Sequence, residues 1–345
     1  MTSKEANWLF LTVILVHIGI VLLLIFEGDH ISFGIVMNFL VSEGILMVPA
    51  LLFLLFSGEL KRPKRREAAG FHRIKISTVL MIFLCTLLLM PLVTVLNALT
   101  MFFTDNAVAS LQGDILNVPF PVMLFMIGIF GPFCEEFVFR GVMYKNYCRC
   151  NGGVGSGIPA VVLSALTFGL MHMNFNQALY AFALGIFLAL LVEVAGSLWA
   201  SVACHMFFNS FEVVLMYLSD SILGSDYEKA MSDTMQTITT QELVAALSVY
   251  LVIAAVTTPI AACILVWIMK NEGREEAVRI LFRGKKEQEA IPVRTGPYGN
   301  LGGTVQWSGT AQLGPAQEHV LSVPLIFAVV LCLAYMSLEW FLMTL

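Results

Sequence analysis

Long apolar runs alternate with short polar stretches along the whole chain of 345 residues. A helix needs about 20 consecutive apolar residues to cross the roughly 30 Å of hydrocarbon in a bilayer. By this criterion the pattern predicts an all-α polytopic membrane protein with about nine transmembrane helices. The predicted helices cover residues 8–26, 33–56, 76–103, 119–144, 158–173, 178–194, 198–218, 243–269 and 321–343.

The composition agrees with the apolar pattern. Hydrophobic residues make up 58% of the chain and charged residues only 12%, and the mean hydropathy is +0.85. These values lie far from those of an average soluble domain. The net charge of −5 says little about partners, because charges in such a protein are sorted by side of the membrane. The chain has neither a phosphate-binding glycine motif nor a nucleic-acid-binding signature, so no nucleic-acid partner is expected.

Basic residues predict how the chain is oriented. Cytoplasmic loops carry an excess of Lys and Arg. Here the basic residues follow predicted spans two, four and eight, so we expect a cell-membrane protein with a cytoplasmic amino terminus and an external carboxy terminus. These residues are Lys61, Arg62, Lys64, Arg65, Arg66, Arg73, Lys75, Lys145, Arg149, Lys270, Arg274, Arg279, Arg283, Lys285 and Lys286.

The same pattern divides the chain into five segments. Residues 1–118 form three helices with a basic cytoplasmic loop, and residues 119–218 form a core of four helices. An external loop and the eighth helix follow at 219–269, and the last helix lies at 321–345. The cytoplasmic segment 270–320 is basic at first and then rich in glycine. Its first part predicts an amphipathic helix on the inner leaflet, and its second part predicts a flexible tether.

Three charged residues interrupt the fourth predicted span. They are Glu135, Glu136 and Arg140, within an otherwise apolar run. A charge at the bilayer centre costs about 2.5–3.5 kcal/mol on insertion scales, so such residues usually pair, line a cavity or take part in chemistry. Glu136 and Arg140 are four residues apart and can pair on one helix face. Glu135 lies on an adjacent face and remains free for another role.

Further polar residues lie in the fifth and seventh spans. His172 ends the fifth span, while His205 and Asn209 are four apart in the seventh and share a face. At about 1.5 Å of rise per residue, Glu135, His172 and His205 all fall near mid-membrane. We therefore expect the three to converge. Glu43, in the second span, is expected only to hydrogen-bond a neighbouring helix.

These residue types are suited to water activation. A carboxylate helped by an imidazole can take a proton from a water molecule, which then attacks an amide carbonyl carbon. A second imidazole and an Asn amide can donate hydrogen bonds to the oxyanion that forms. Peptide-bond hydrolysis is therefore one reaction that these residues could support.

Three motifs in successive helices resemble one known family. Glu-Glu-x-x-x-Arg begins at Glu135, Phe-x-x-x-His ends at His172, and His-x-x-x-Asn runs from His205 to Asn209. Together they resemble the CAAX prenyl protease and bacteriocin-processing (Abi) family of intramembrane endopeptidases, over about residues 119–215.

The resemblance implies a role for each motif residue. It implies that Glu135 is the catalytic base and that His172 assists it on the water. His205 and Asn209 would form the oxyanion site, while Glu136 and Arg140 would support the architecture of the helix. No cofactor is expected. The implied partners are the lipid bilayer and a peptide or protein substrate that reaches a cavity in the membrane.

Several alternatives remain open at the sequence level. Glu135, His172 and His205 could ligate zinc with an open fourth position, although no His-Glu-x-x-His pair is present to strengthen that interpretation. Intramembrane carboxylates also occur in proton-coupled transporters, and a non-enzymatic immunity or assembly factor could keep the same fold. The substrate could be a prenylated carboxy-terminal cysteine motif, a leader peptide, a bacteriocin precursor or a membrane-tethered regulator.

Overall fold

The computed structural model describes residues 3–27, 34–56, 70–104, 106–148, 157–224, 239–282 and 321–343. Within these ranges the regular secondary structure is entirely helical. The helices are α1 Ser3–Glu27, α2 Ile35–Phe56, α3 Ile76–Thr100, α4 Ala107–Ser110, α5 Gln112–Leu116, α6 Phe120–Cys148, α7 Ile158–Met171, α8 Phe175–Ala195, α9 Leu198–Leu223, α10 Thr240–Asn271, α11 Glu275–Phe282 and α12 Val323–Met343.

The predicted all-α polytopic fold is confirmed. Among the described residues, eight helices are long and apolar enough to cross a membrane, namely α1, α2, α3, α6, α8, α9, α10 and α12. The remaining predicted span is the apolar helix α7, which has only 14 residues. At about 1.5 Å of rise per residue it is shorter than the hydrocarbon layer is thick. The described part of the chain thus contains eight long spans and one short apolar helix of this kind.

Much of the basic sequence lies outside the described residues. This applies to Lys61–Arg66, to Arg149 and to the chain from 283 to 320, including Arg283, Lys285 and Lys286. The start of the predicted amphipathic segment is described as α11, where Arg279 and Glu276 form an exposed ion pair of 3.4 Å. The orientation of the termini and the division into five segments remain predictions.

Helix α6 is irregular on both sides of its two carboxylates. The stretches Leu124–Phe130 and Phe137–Tyr144 are π-helical, and the α-helical turn Gly131–Glu136 lies between them. Such widened turns occur often at functional sites. In the first stretch, the carbonyl oxygens of Ile127 and Gly128 accept hydrogen bonds from Asn209 and Ser210 of α9, each at 3.2 Å. Helix α9 is therefore tied to α6 just before the carboxylates.

A tight turn joins α7 to α8. It contains only His172, Met173 and Asn174, and Met173 has a φ of +54°, a left-handed conformation that costs a non-glycine residue about 1–3 kcal/mol. The side chain of Asn174 caps α8 by accepting a hydrogen bond from the backbone N–H of Gln177 at 3.2 Å. This short connection fixes His172 at the end of the helical hairpin.

The hairpin can close because residue 169 is glycine. A Cβ atom on Gly169 would lie 2.6 Å from the backbone oxygen of Ala178 in α8. Real Cβ atoms do not approach a backbone oxygen so closely, so a side chain here would push α7 away from α8.

We therefore expect Gly169→Ala to destabilise the protein. Overpacking of this kind typically costs about 1–3 kcal/mol, and the unfolding midpoint in detergent should fall by several degrees. The matched control is Gly19→Ala on α1, where a Cβ atom would meet nothing within 4 Å. Equal midpoints for the two variants would show that α7 and α8 are not in close contact at Gly169.

Candidate active site

The site is built around a buried ion pair within α6. Arg140 Nη1 lies 2.7 Å from Glu136 Oε1, and both side chains are completely buried. Arg140 Nη2 also donates a hydrogen bond to the backbone oxygen of Gly185 in α8 at 3.2 Å. Its guanidinium group lies over the ring of Phe168 in α7, 4.2 Å from the ring centroid. The pair expected from the spacing of four is present, and it joins three helices.

His205 brings α9 into the same cluster. Its Nδ1 atom lies 3.0 Å from Glu136 Oε1. Because Glu136 is paired with an arginine and a carboxylate only accepts hydrogen bonds, Nδ1 of His205 carries the proton. The other ring nitrogen, Nε2, then faces Oε2 of Glu135 at 3.6 Å. Glu136 thus fixes both the orientation of the ring and the nitrogen that points toward Glu135.

The two adjacent carboxylates have different environments. The side chain of Glu136 is completely buried, and one of its oxygens contacts both Arg140 and His205. The side chain of Glu135 is 17% exposed and has no ion-pair contact in the described chain apart from His205. Glu135 is therefore the carboxylate that an incoming water or peptide can reach.

His172 joins the cluster through an aromatic ring. Its Nδ1 donates to the backbone oxygen of Phe168 at 2.9 Å, which leaves Nε2 of a neutral ring free. The rings of His172 and His205 both lie edge-on to the Phe168 ring, at centroid distances of 5.2 Å and 5.7 Å. The histidine in contact with Glu135 is His205. The role of His172 on the water stays a prediction. The predicted convergence thus takes the form of two histidines grouped around Phe168.

Asn209 lies one helical turn beyond His205 and also faces α6. Its Nδ2 donates to the backbone oxygen of Ile127, about two turns before Glu135 along α6. An Asn amide has two hydrogens, so this bond leaves one for another acceptor. Asn209 therefore holds the first π-helical stretch in place and keeps one donor.

Two residues that contribute to the site were not given a role in it from the sequence. Phe168 contacts Arg140, His172 and His205, and its spacing of four before His172 was a signal that it shares the same helix face. Glu43 of α2 lies beside Gly131 and Cys134 of α6. No sequence pattern could indicate this, because hydropathy does not reveal which helices are neighbours.

Within the described ranges, no three His, Cys, Asp or Glu side chains are grouped closely enough to hold a metal ion. The zinc alternative needs Glu135, His172 and His205 on one ion. Of these three side chains, only Glu135 and His205 form a polar contact, at 3.6 Å.

An apolar groove opens beside the α7–α8 turn. It has a volume of about 510 Å³ and lies between α3, α7, α8 and α12. Its wall includes Gly169 and Leu170, two and one residues before the end of α7, and Trp340 of α12. The groove offers an apolar surface close to the helix end that carries His172.

The segment with the three motifs matches a known family. Residues 117–211 of this polytopic membrane protein match the family model described as type II CAAX prenyl endopeptidase Rce1-like. The match coincides with the segment of about 119–215 on which the motifs were recognised. The predicted resemblance is therefore confirmed for the part of the chain that forms the site.

Two curated relatives match the chain over similar lengths. The membrane-embedded CAAX protease MroQ of Staphylococcus aureus (strain USA300) is 30% identical over 112 residues, which are 32% of this chain and 45% of the relative. The membrane peptidase YdiL of Bacillus subtilis (strain 168) is 27% identical over 95 residues, 28% of this chain and 37% of the relative. The chain thus spans less than half of either relative. No solved structure matches it.

The buried ion pair predicts an asymmetric mutational effect. Arg140→Met leaves Glu136 buried without its cation, and breaking such a pair typically costs about 3–5 kcal/mol. Replacing both partners, as Glu136→Leu with Arg140→Met, should restore part of the lost stability, because no uncompensated charge remains. Thermal unfolding in detergent measures both effects.

Arg279→Met is the matched control, because the Arg279 side chain is 60% exposed in its own Arg–Glu pair. Its stability should change by no more than about 0.5 kcal/mol. Equal losses in Arg140→Met and Arg279→Met would contradict the assignment of a desolvated pair at Arg140.

Proposed function

We propose that this protein is an intramembrane endopeptidase of the glutamate type that needs no metal. The observation that carries the proposal is the division between the two carboxylates. Glu136 is occupied by Arg140 and His205, while Glu135 is partly exposed and faces His205 Nε2. The match of this segment to a family of CAAX prenyl endopeptidases supports peptide-bond hydrolysis as the reaction.

The proposed reaction begins at Glu135. Its carboxylate takes a proton from a water molecule, and the water oxygen bonds to the carbonyl carbon of the scissile peptide. The resulting oxyanion accepts hydrogen bonds from protonated His205 Nε2 and from the remaining amide hydrogen of Asn209. The C–N bond then breaks, and the proton held by Glu135 passes to the leaving amine. His172 assists in orienting the water.

Glu136 and Arg140 act on the reaction through His205. A carboxylate on Nδ1 stabilises the imidazolium form of a histidine, which is the form that donates from Nε2. Arg140 keeps Glu136 ionised and locks it among α6, α7 and α8. In the proposal both residues are supporting rather than catalytic.

The proposed substrate is a peptide segment that enters from the lipid phase. The apolar groove beside Leu170 and Trp340 suits a hydrophobic chain, either an apolar helix end or a lipid group attached to the peptide. A prenylated cysteine motif, a leader peptide, a bacteriocin precursor and a membrane-tethered regulator all satisfy this requirement.

The central test is Glu135→Gln. Purified protein in detergent is incubated with a quenched fluorescent peptide library, before and after exhaustive chelation and a metal assay. We expect cleavage by the parent, and a fall of about 10²–10⁴-fold in Glu135→Gln, because loss of a general base typically has that effect. Chelation should leave the parent rate unchanged.

The control for charge removal is Glu276→Gln, which alters an exposed carboxylate in α11 and should cleave like the parent. Loss of activity on chelation that zinc restores would replace the metal-free mechanism with the zinc one. A folded, monodisperse parent that cleaves nothing would instead favour a non-enzymatic membrane factor or a transporter.

A second pair of variants tests the oxyanion role of Asn209. Asn209→Ala and Ser210→Ala each remove one 3.2 Å hydrogen bond to the first π-helical stretch of α6. Only Asn209 has a proposed role in the reaction, so kcat should fall by about 10²–10³-fold in Asn209→Ala and change little in Ser210→Ala. An equal loss of kcat in the two variants would show that Asn209 acts only as a structural contact between α9 and α6.

A further inference from the structure

A third carboxylate lies at the site, on a helix outside the matched segment. Glu43 is in the middle of α2, within the membrane-spanning stretch Ile35–Phe56. Its Oε2 atom is buried and has no hydrogen-bond partner among the described groups. None of the ion pairs in the described part of the chain includes Glu43. A buried carboxylate normally finds a partner, so an oxygen left free in the membrane interior calls for a role.

The backbone of α6 makes room for this carboxylate. A Cβ atom on Gly131 would lie 3.1 Å from Glu43 Oε1, so any side chain at 131 would crowd it. The thiol of Cys134 also interacts with the Glu43 carboxylate. Glu43 therefore fits against the same α-helical turn, Gly131–Glu136, that carries Glu135.

Helix geometry brings Glu135 to the same place. Positions 131 and 135 are four apart and share a face, and side chains on a helix lean toward its amino terminus. The carboxylate of Glu135 thus leans toward the space above Gly131, where the carboxylate of Glu43 lies. The two groups also interact electrostatically. Glu135 and Glu43 face a common space from two helices.

We infer that Glu43 is a positioning residue that holds the attacking water together with Glu135. A water molecule inside a protein needs about 2–4 polar partners. Glu135 supplies one oxygen, and the free Oε2 of Glu43 supplies a second from α2. With two acceptors fixed, the lone pairs of the water point away from both carboxylates, toward a peptide carbonyl carbon. This inference rests on the proposed hydrolytic function, and it brings α2 into the site.

The inference is tested first by kinetics with Glu43→Ala and Glu43→Gln. Misplacing a reacting group can cost about 10²-fold in rate, so kcat should fall by about 10–100-fold in Glu43→Ala while KM stays near the parent value. Glu43→Gln should recover most of kcat, because an amide oxygen still accepts a hydrogen bond from water. Glu276→Ala, in α11, is the control and should cleave like the parent, because that carboxylate is exposed.

A double-variant cycle measures the same contact without substrate. Thermal unfolding midpoints are compared for Glu43→Gln, Glu135→Gln and the variant with both changes. If the carboxylates face one space, the shift of the double variant should differ clearly from the sum of the two single shifts. Substitutions at separate sites would give additive shifts.

The outcomes separate the two claims. Both claims are supported if the parent cleaves and Glu135→Gln does not, while Glu43→Ala has a low kcat that Glu43→Gln largely restores. If cleavage depends on Glu135 but Glu43→Ala keeps the parent kcat, or if the midpoint shifts are additive, the inference is overturned and the proposed function stands. A parent that cleaves nothing overturns the proposed function and, with it, the role of Glu43 in positioning water.

Discussion

The arrangement of the site depends on neutralising one buried charge. Arg140 is completely buried in the middle of an apolar helix, where an unpaired guanidinium would carry a large desolvation cost. Glu136 compensates that charge at 2.7 Å, and the same carboxylate oxygen holds His205. Phe168 covers the guanidinium from α7 and supports both histidine rings. Removing Arg140 would therefore disturb four helices at once.

The backbone around this pair is adapted to expose one carboxylate and not its neighbour. The α-helical turn Gly131–Glu136 between two π-helical stretches directs Glu136 into the bundle and leaves Glu135 partly exposed. Hydrogen bonds from Asn209 and Ser210 hold the first π-helical stretch. The strained turn at Met173 similarly fixes His172 beside Phe168. Rigid backbone features thus hold flexible side chains where the proposed chemistry needs them.

Helical periodicity made part of this arrangement predictable. The spacing of four was enough to expect the Glu136–Arg140 pair, and hydropathy was enough to expect an all-α membrane protein. The spacing of four also indicated that His205 and Asn209 share a helix face, and both side chains do contact α6. These features depend on residues close together in the sequence, which is why a local pattern reveals them.

Features that depend on contacts between distant helices could not be predicted. The π-helical stretches have no compositional signature, and hydropathy does not say that α2 packs beside Glu135. Glu43 therefore looked like an ordinary polar residue of a span, and no local pattern showed that His205 would contact both adjacent carboxylates. Helix α7 ends two residues before the predicted bound of 173, where the chain turns toward α8.

The central claim is that two adjacent carboxylates have separate tasks, one structural and one chemical. The most direct measurement compares Glu135→Gln and Glu136→Gln in two assays, thermal unfolding and peptide cleavage. The account predicts that Glu135→Gln keeps the unfolding midpoint and loses cleavage, while Glu136→Gln lowers the midpoint by several degrees. A stable Glu136→Gln protein combined with a destabilised, still active Glu135→Gln protein would contradict it.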